Sequence, residues 1–267
     1  MTNADDRITT TLSEDGVAEV RLNRPDTMNA LDPAMFDAII ATGESLRTMK
    51  GLRAVVLSGE GRAFCAGLDL GSFAAGGSEP TRDLAERTHG NANRAQEAAM
   101  IWRKCPVPVI AAVHGVCFGG GLQIASGADM RVVHPETRMA IMEMRWGLVP
   151  DMGGYALWRS LVRGDVLREL VYSNREFSGT EAASLGLATF VESDPLGRAH
   201  AIAAEIASRN PESVRAAKRL FDVMDDESTD AILLAESEAQ DRVIRKPNQV
   251  EAVMAGMQKR APVFRDV

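Results

Sequence analysis

Short runs of β-branched and small apolar residues recur through the first two thirds of this chain. Most are followed by a stretch with helical spacing. "RAVVLSG" (53–59), "VPVIAAVHG" (107–115) and "ADMRVVHP" (128–135) are continuous apolar runs bounded by glycine or proline, as expected of strands buried on both faces. "ITTTLSEDGVAEVRLN" (8–23) reads as two short strands around an Asp15-Gly16 turn. Asp32 and Pro33 open a helix that the pattern carries to about Met49, with aspartate as cap and proline at the first helical position. Such alternation predicts an α/β architecture. Further expectations are a mobile loop over 71–80, a helix from Thr81 to Lys104 and a strand in "RMAIMEM" (138–144). Helices are then expected from about Gly153, Gly164 and Thr180, with a late strand in "ATFVES" (188–193). From about Pro195 the pattern is helical almost to the end, which divides the chain into a core over 1–194 and a helical region over 195–267.

Charge and cysteine content narrow the class of partner. The formal net charge of −7 argues against nucleic acid as a bulk partner. No apolar run approaches the ~20 residues that span a bilayer, and "MTNADDRITT" lacks the basic-then-apolar pattern of a signal peptide. Three cysteines without regular spacing suggest reduced thiols and a cytoplasmic setting, and none has zinc-ligand spacing with histidine. There is no dinucleotide fingerprint, no P-loop and no G-x-S-x-G elbow.

Two glycine-containing stretches remain, "FCAGLDL" (64–70) and "CFGGGLQIASGAD" (117–129). In the second, Gly119, Gly120 and Gly121 stand where a strand hands over to a helix, so free N–H groups and the positive end of the helix dipole point outward. In the first, Gly67 permits a sharp turn that presents the N–H of Leu68. Two converging N–H donors make an oxyanion hole, able to hold a carbonyl oxygen that turns negative during reaction. Each stretch alone is equally a tight turn.

Together with "LNRPDTMNALD" (22–32) and "EMRWGLVPDMGG" (143–154), these stretches resemble, in order and spacing, the crotonase superfamily of enoyl-CoA hydratases and isomerases. The resemblance implies a spiral of ββα units followed by a helical C-terminal region that mediates homotrimers, often paired into hexamers. It implies an acyl-CoA thioester as substrate, with coenzyme A part of the substrate and no separate cofactor or metal. The thioester oxygen would accept from the N–H of Leu68 and of Gly120, and the shared intermediate would be an enolate. Arg24, Ala63, Ala66, Leu68 and Lys259 fall where relatives contact coenzyme A, with Lys259, Arg260 and Arg265 approaching the nucleotide phosphates of a neighbouring subunit.

The acids are where this chain departs from its relatives. Hydratases of the family use two glutamates, and one of the two positions holds Gln123, which can orient a water or a substrate but cannot exchange a proton as a carboxylate does. The other falls on Glu143, whose apolar flanks predict a raised pKa suited to a general base. Asp151 matches an aspartate of the family's dienoyl-CoA isomerases and is also a natural helix cap before Gly153. The set Gln123, Glu143, Asp151 leans toward double-bond isomerisation. Hydration of a 2-enoyl-CoA, with Glu143 acting and Gln123 assisting, is the alternative, and a noncatalytic acyl-CoA-binding protein is the reading from another class. His114, Cys65 and Cys117 read as packed residues beside the motifs, and Asp69 as a residue that fixes its loop through backbone N–H groups. The segment from Gly71 to about His89 is expected over the acyl pocket, and Met100 and Trp102 in the core.

Overall fold

The computed structural model describes residues 7–74 and 83–267. Strands β1 (Ile8–Leu12) and β2 (Val17–Leu22) form the expected hairpin, in antiparallel register from Ile8↔Leu22 to Leu12↔Ala18. Helix α1 (Pro33–Thr48) follows, its first turn capped by the Asp32 carboxylate, which accepts from the Met35 N–H at 2.8 Å. The chain continues through β3 (Ala54–Gly59), α2 (Leu70–Ala74), α3 (Arg94–Arg103), β4 (Val109–Val113), β5 (Val116–Phe118) and α4 (Gly120–Ser126). Then come β6 (Met130–Val133), β7 (Arg138–Ala140), α5 (Gly154–Trp158), α6 (Gly164–Ser173), β8 (Phe177–Ser178), α7 (Gly179–Leu185) and β9 (Phe190–Val191). Four helices close the chain: α8 (Pro195–Ala207), α9 (Pro211–Asp226), α10 (Thr229–Val243) and α11 (Pro247–Gln258).

The main sheet has the order β1-β2-β3-β4-β6-β9 and is parallel from β2 onward. Both faces are covered, which is why its strands read as unbroken apolar runs. Val20, Leu22, Val55, Leu57, Ala111 and Val113 face α1, α3 and α4, with Met35, Ile39, Ile101 and Trp102 in the same core. The alternate positions Val17, Ala54, Val56, Ile110, Ala112 and Val132 face α8, which offers Ala199 and Ala203. The helical region thus begins at Pro195 as expected, with its first helix packed into the sheet. Helix α9 is pinned by the buried Lys218 ammonium, which donates to Asp129 at 2.6 Å and to the carbonyls of Val107 and Trp102 at 3.0 and 3.3 Å. Met100 packs at the core margin and Trp102 is fully buried.

A second sheet, β5-β7-β8, carries the site. The sequence did not separate β5 from the glycine turn, because its three residues lie between Gly115 and Gly119. Three other expectations are corrected. The helix expected from Thr81 starts only at Arg94, because Asn93 and Gln96 form a reciprocal capping box there, while His89 and Ala92 pair with each other in a turn. Part of the expected loop over 71–80 is the short α2, whose Ser72 N–H is held by the Asp69 carboxylate at 3.1 Å. Residues 75–82, and with them part of the segment expected over the acyl pocket, lie outside the described residues. The strand expected through Met144 stops at Ala140. Glu143–Trp146 is instead a 3-10 turn closed by Gly147 in the left-handed region.

Residues 64–65 run beside β5: Phe64 N–H donates to His114 O at 2.9 Å, Cys65 N–H to Val116 O at 3.1 Å, and Phe118 N–H to Cys65 O at 3.0 Å. Gly115 makes that approach possible. It has φ +65°, and a Cβ there would lie 2.0 Å from the Arg62 carbonyl oxygen. Gly115→Ala is therefore expected to cost at least ~2 kcal/mol, the left-handed strain plus a backbone clash. A urea titration followed by circular dichroism checks this.

Candidate active site

The two glycine motifs meet where the 64–68 segment passes the start of α4. A Cβ on Gly67 would lie 2.7 Å from Phe118 O and 3.6 Å from the Gly120 nitrogen, and Gly67 itself has φ +87°. Leu68 then forms a parallel bridge with Leu31. Leu31 donates to Gly67 O at 2.8 Å and accepts from Asp69 N–H at 3.0 Å, so both of its bonds go to the neighbours of Leu68. This pairing turns the Leu68 N–H away from Leu31. Gly120 is the first residue of α4, whose first-turn amides have no helical acceptor. Among the described residues, neither the Leu68 nor the Gly120 N–H donates a hydrogen bond.

Glu143 lies beside this backbone. A Cβ on Gly119 would stand 3.5 Å from Glu143 Oε1. The Glu143 residue is only 9% exposed, and its Oε2 is buried without a hydrogen-bond partner. Burial pushes the carboxyl above the ordinary range. Its own backbone N–H and the Gln123 amide pull it partly back, and the nearby Asp151 charge pushes it up again.

Gln123 is held by the backbone and holds Glu143 in turn. It is fully buried, and its Oε1 accepts from the N–H groups of Met152 and Gly154, both at 2.9 Å. Two donors on one atom fix the amide orientation, so Nε2 faces Glu143 and donates to Oε1 at 2.6 Å. Its acceptor is thus spent on backbone and one of its two amide N–H donors on the carboxylate. Gln123 holds one oxygen of Glu143 and fixes the loop that follows Asp151. Removing it as Gln123→Leu is expected to move the acid limb of the rate profile to higher pH. The lost donor favoured ionised Glu143, the form that accepts a proton. A kcat/KM profile across pH 4–9 checks this.

Asp151 is not a helix cap: the N-cap of α5 is Gly153, with no side-chain capping bond. Its carboxyl is raised chiefly by desolvation from the surrounding groups, although the residue is exposed in the single chain. Met152 next to it packs on Gly120, since a Cβ there would meet Met152 Sδ at 2.7 Å. Met100 borders the same loop, with its Sδ 3.1 Å from where a Cβ on Gly153 would be.

The expected coenzyme A contacts divide. Arg24 is occupied: its guanidinium donates to Asp69 at 2.5 Å and Ala30 O at 3.0 Å, and stands 3.6 Å from Asp32. It clamps the Leu68–Asp69 segment onto residues 30–32 while its side chain stays partly exposed. Asp69 holds its loop as expected, bonding Ser72 N–H and Arg24, and both lower its pKa. Ala63 is fully buried and its carbonyl accepts from Asn29, so it has no surface for a ligand. Ala66 and Leu68 stay half-buried. Lys259 terminates α11 in the left-handed region, and the tail beyond it is tied to Asn248 of α11 and to Gly51 and Arg53 at the N-terminal end of β3. The site lies past the opposite end of that strand.

Asn29 is the residue that sequence reasoning missed. It is fully buried at φ 57°, its Nδ2 reaches the carbonyls of Glu60, Ala63 and Phe64 at 2.9–3.1 Å, and its Oδ1 accepts from Arg24 N–H at 2.7 Å. The signal was an asparagine inside the first motif, "LNRPDTMNALD". Cys65 and Cys117 are buried, with burial pushing the Cys65 thiol up to about 12 and Cys117 well above its usual value. They are not thiolate nucleophiles at neutral pH. Among the described residues no group of three His, Cys, Asp or Glu side chains is placed to hold a metal ion.

The architecture is that of an α/β enzyme with paired carboxylates at the exit of a parallel sheet. The family model described as enoyl-CoA hydratase/isomerase matches residues 13–267. The mitochondrial Delta(3,5)-Delta(2,4)-dienoyl-CoA isomerase of Mus musculus is 31% identical over 261 residues, covering 95% of this chain and 80% of that protein. The crystal structure of an enoyl-CoA hydratase from Mycobacterium smegmatis superposes with a TM-score of 0.86 at 28% identity, over 96% of this chain and 98% of that one. An enoyl-CoA hydratase from Polaromonas sp. JS666 gives 0.87 at 27% identity, over 97% and 99%. The chain belongs to the enoyl-CoA hydratase/isomerase family of the crotonase superfamily, and is an enzyme of that family.

Proposed function

We propose that this enzyme shifts a double bond along an acyl-CoA thioester. The thioester oxygen sits between the N–H groups of Leu68 and Gly120, with no further cofactor. Glu143 Oε2 removes a proton from the acyl chain. The electrons of that C–H bond pass into the conjugated system as an enolate, whose charge rests on the oxygen held by the two amides. Protonated Asp151 then returns a proton at a different carbon, and the electrons re-form a double bond in a new place. The two carboxyls end in exchanged protonation states and reset through solvent.

The observation that carries this reading is the engagement of Gln123. Among the described residues its Oε1 is filled by the N–H groups of Met152 and Gly154 and its Nε2 holds Glu143, so its side chain has no acceptor left for the proton of a water opposite Glu143. The free carboxyl near Glu143 belongs to Asp151. The likeness to a dienoyl-CoA isomerase supports the same reading. The test supplies crotonyl-CoA and a 3,5-dienoyl-CoA in parallel and compares the loss of conjugated absorbance with its gain. Faster hydration of the first than isomerisation of the second would overturn the isomerase assignment in favour of hydration.

The same reading includes assembly with further copies of this chain, as a trimer or a pair of trimers. Phe221 and Met224 on α9, Leu233 and Leu234 on α10, and Val253 and Met257 on α11 are exposed in the single chain. An apolar surface of that kind is covered in stable oligomers. In such an assembly Lys259 serves the nucleotide phosphates of a neighbouring subunit.

A further inference from the structure

A second cleft, of about 330 Å³, opens on the α8 side of the main sheet, and its lining includes neither Glu143 nor a residue of the two glycine motifs. It is lined by Arg21, Ser58, Ala112, His114, His134 and Leu196, with the 59–61 turn at its edge. Strand alternation explains the lining. Val17, Val56, Ile110 and Val132 lie on the α8 face, so Arg21, Ser58, Ala112 and His134 lie on it too, four or two residues further along their strands. The apolar face therefore ends in a polar row at the carboxyl ends of β2, β3 and β6, where open parallel sheets bind ligands.

Donors dominate this row. Ser58 is 3% exposed and its Oγ has no hydrogen-bond partner. His134 Nδ1 accepts from the Glu136 N–H at 3.2 Å, which leaves the ring proton on Nε2. His114 Nε2 faces the Gly61 carbonyl at 2.9 Å and so carries its own proton. Helix α8 starts at this cleft, and its 13 residues direct a positive dipole end toward it. Its first residue, Pro195, has no N–H, and the Leu196 N–H donates no bond among the described residues. The nearby acids are already engaged. Glu60 and Glu19 pair with Arg21 at 2.9 and 2.5 Å, Glu19 also faces His200 at 3.3 Å, and Asp194 caps Gly197 at 2.9 Å.

We infer that this cleft binds a small phosphate-class oxyanion, held by Ser58 Oγ, His134 and the Leu196 N–H, independently of the acyl-CoA site. A dipole end alone would not make a site. The buried, unpartnered hydroxyl beside it is the second observation, since such a group costs about 1–3 kcal/mol when left unbonded.

The experiment follows the imidazole resonances of the ¹⁵N-histidine-labelled protein while inorganic phosphate is added at constant ionic strength, with chloride as the control. A saturable shift at His134 is expected with phosphate only. It should be lost in Ser58→Ala, and in His134→Gln, read at the His114 imidazole that also lines the cleft, half-saturation should need about tenfold more phosphate, the effect of one hydrogen bond to an anion. Steady-state turnover should be unchanged in both variants, so failure here is separable from failure of the isomerase reading. A phosphate response no larger than that of chloride, or one indifferent to both substitutions, overturns the inference. So does displacement of phosphate by an acyl-CoA, which would merge the two sites.

Discussion

Glu143→Gln is expected to lower kcat by roughly 10²–10⁴-fold, the usual contribution of a positioned acid–base group. The reason is geometric. Oε2 of Glu143 is a buried oxygen with no partner in the protein, next to the start of α4 where the thioester would lie. Glutamine keeps the volume, and the neighbouring Gln123 amide can still donate to its oxygen, so the fold and acyl-CoA binding should persist. Steady-state kinetics beside a binding titration separate the two effects. Equal loss of affinity and rate would mean that Glu143 shapes the pocket and transfers no proton.

The same substitution has a stability consequence of opposite sign. The folded pKa of Glu143 is raised, so the folded state holds that proton more tightly than the unfolded state does. Its stabilising contribution is present below the ordinary carboxylate range and is lost as pH rises through the raised folded value. At neutral pH the ionised side chain is a cost, and the variant should unfold at a higher urea concentration than the parent. The difference between variant and parent should shrink as pH falls toward 4.

Asp151→Asn carries the second large effect, a drop of roughly 10²-fold in dienoyl-CoA isomerisation. Asparagine cannot return a proton, and Asp151 makes no capping bond whose loss would confuse the result. Hydration of crotonyl-CoA, if measurable, should change far less. A variant that isomerises at the parent rate would sink the two-carboxylate relay, leaving Glu143 to act alone.

Local rules recovered much of this molecule. The Asp32 cap, the strand runs buried on both faces and the strand-to-helix turn at 119–121 depend on residues within a few positions of each other. So does the Asp69 loop, once Ser72 is taken as its partner. The motif spacing also put Glu143 and Asp151 on one list, and the structure brings them within electrostatic reach. The errors arose where a local pattern had a rival. The helix expected from Thr81 lost its first turns to a capping box at Asn93, and the strand expected through Met144 gave way to a turn closed by Gly147.

The sequence by itself determined the architecture, the family and which carboxylates are available, because periodicity and short motifs act over a few residues. Tertiary structure alone decided what Gln123 and Arg24 do. Each has its chemistry fixed by partners 20 to 45 positions away, Glu143 and Met152 for one and Asp69 for the other. It also decided where the Leu68 N–H points, since that follows from the register of residues 67–69 against Leu31. A hydrogen bond is lost over a fraction of an ångström, and registers between distant segments are set only when the whole core packs.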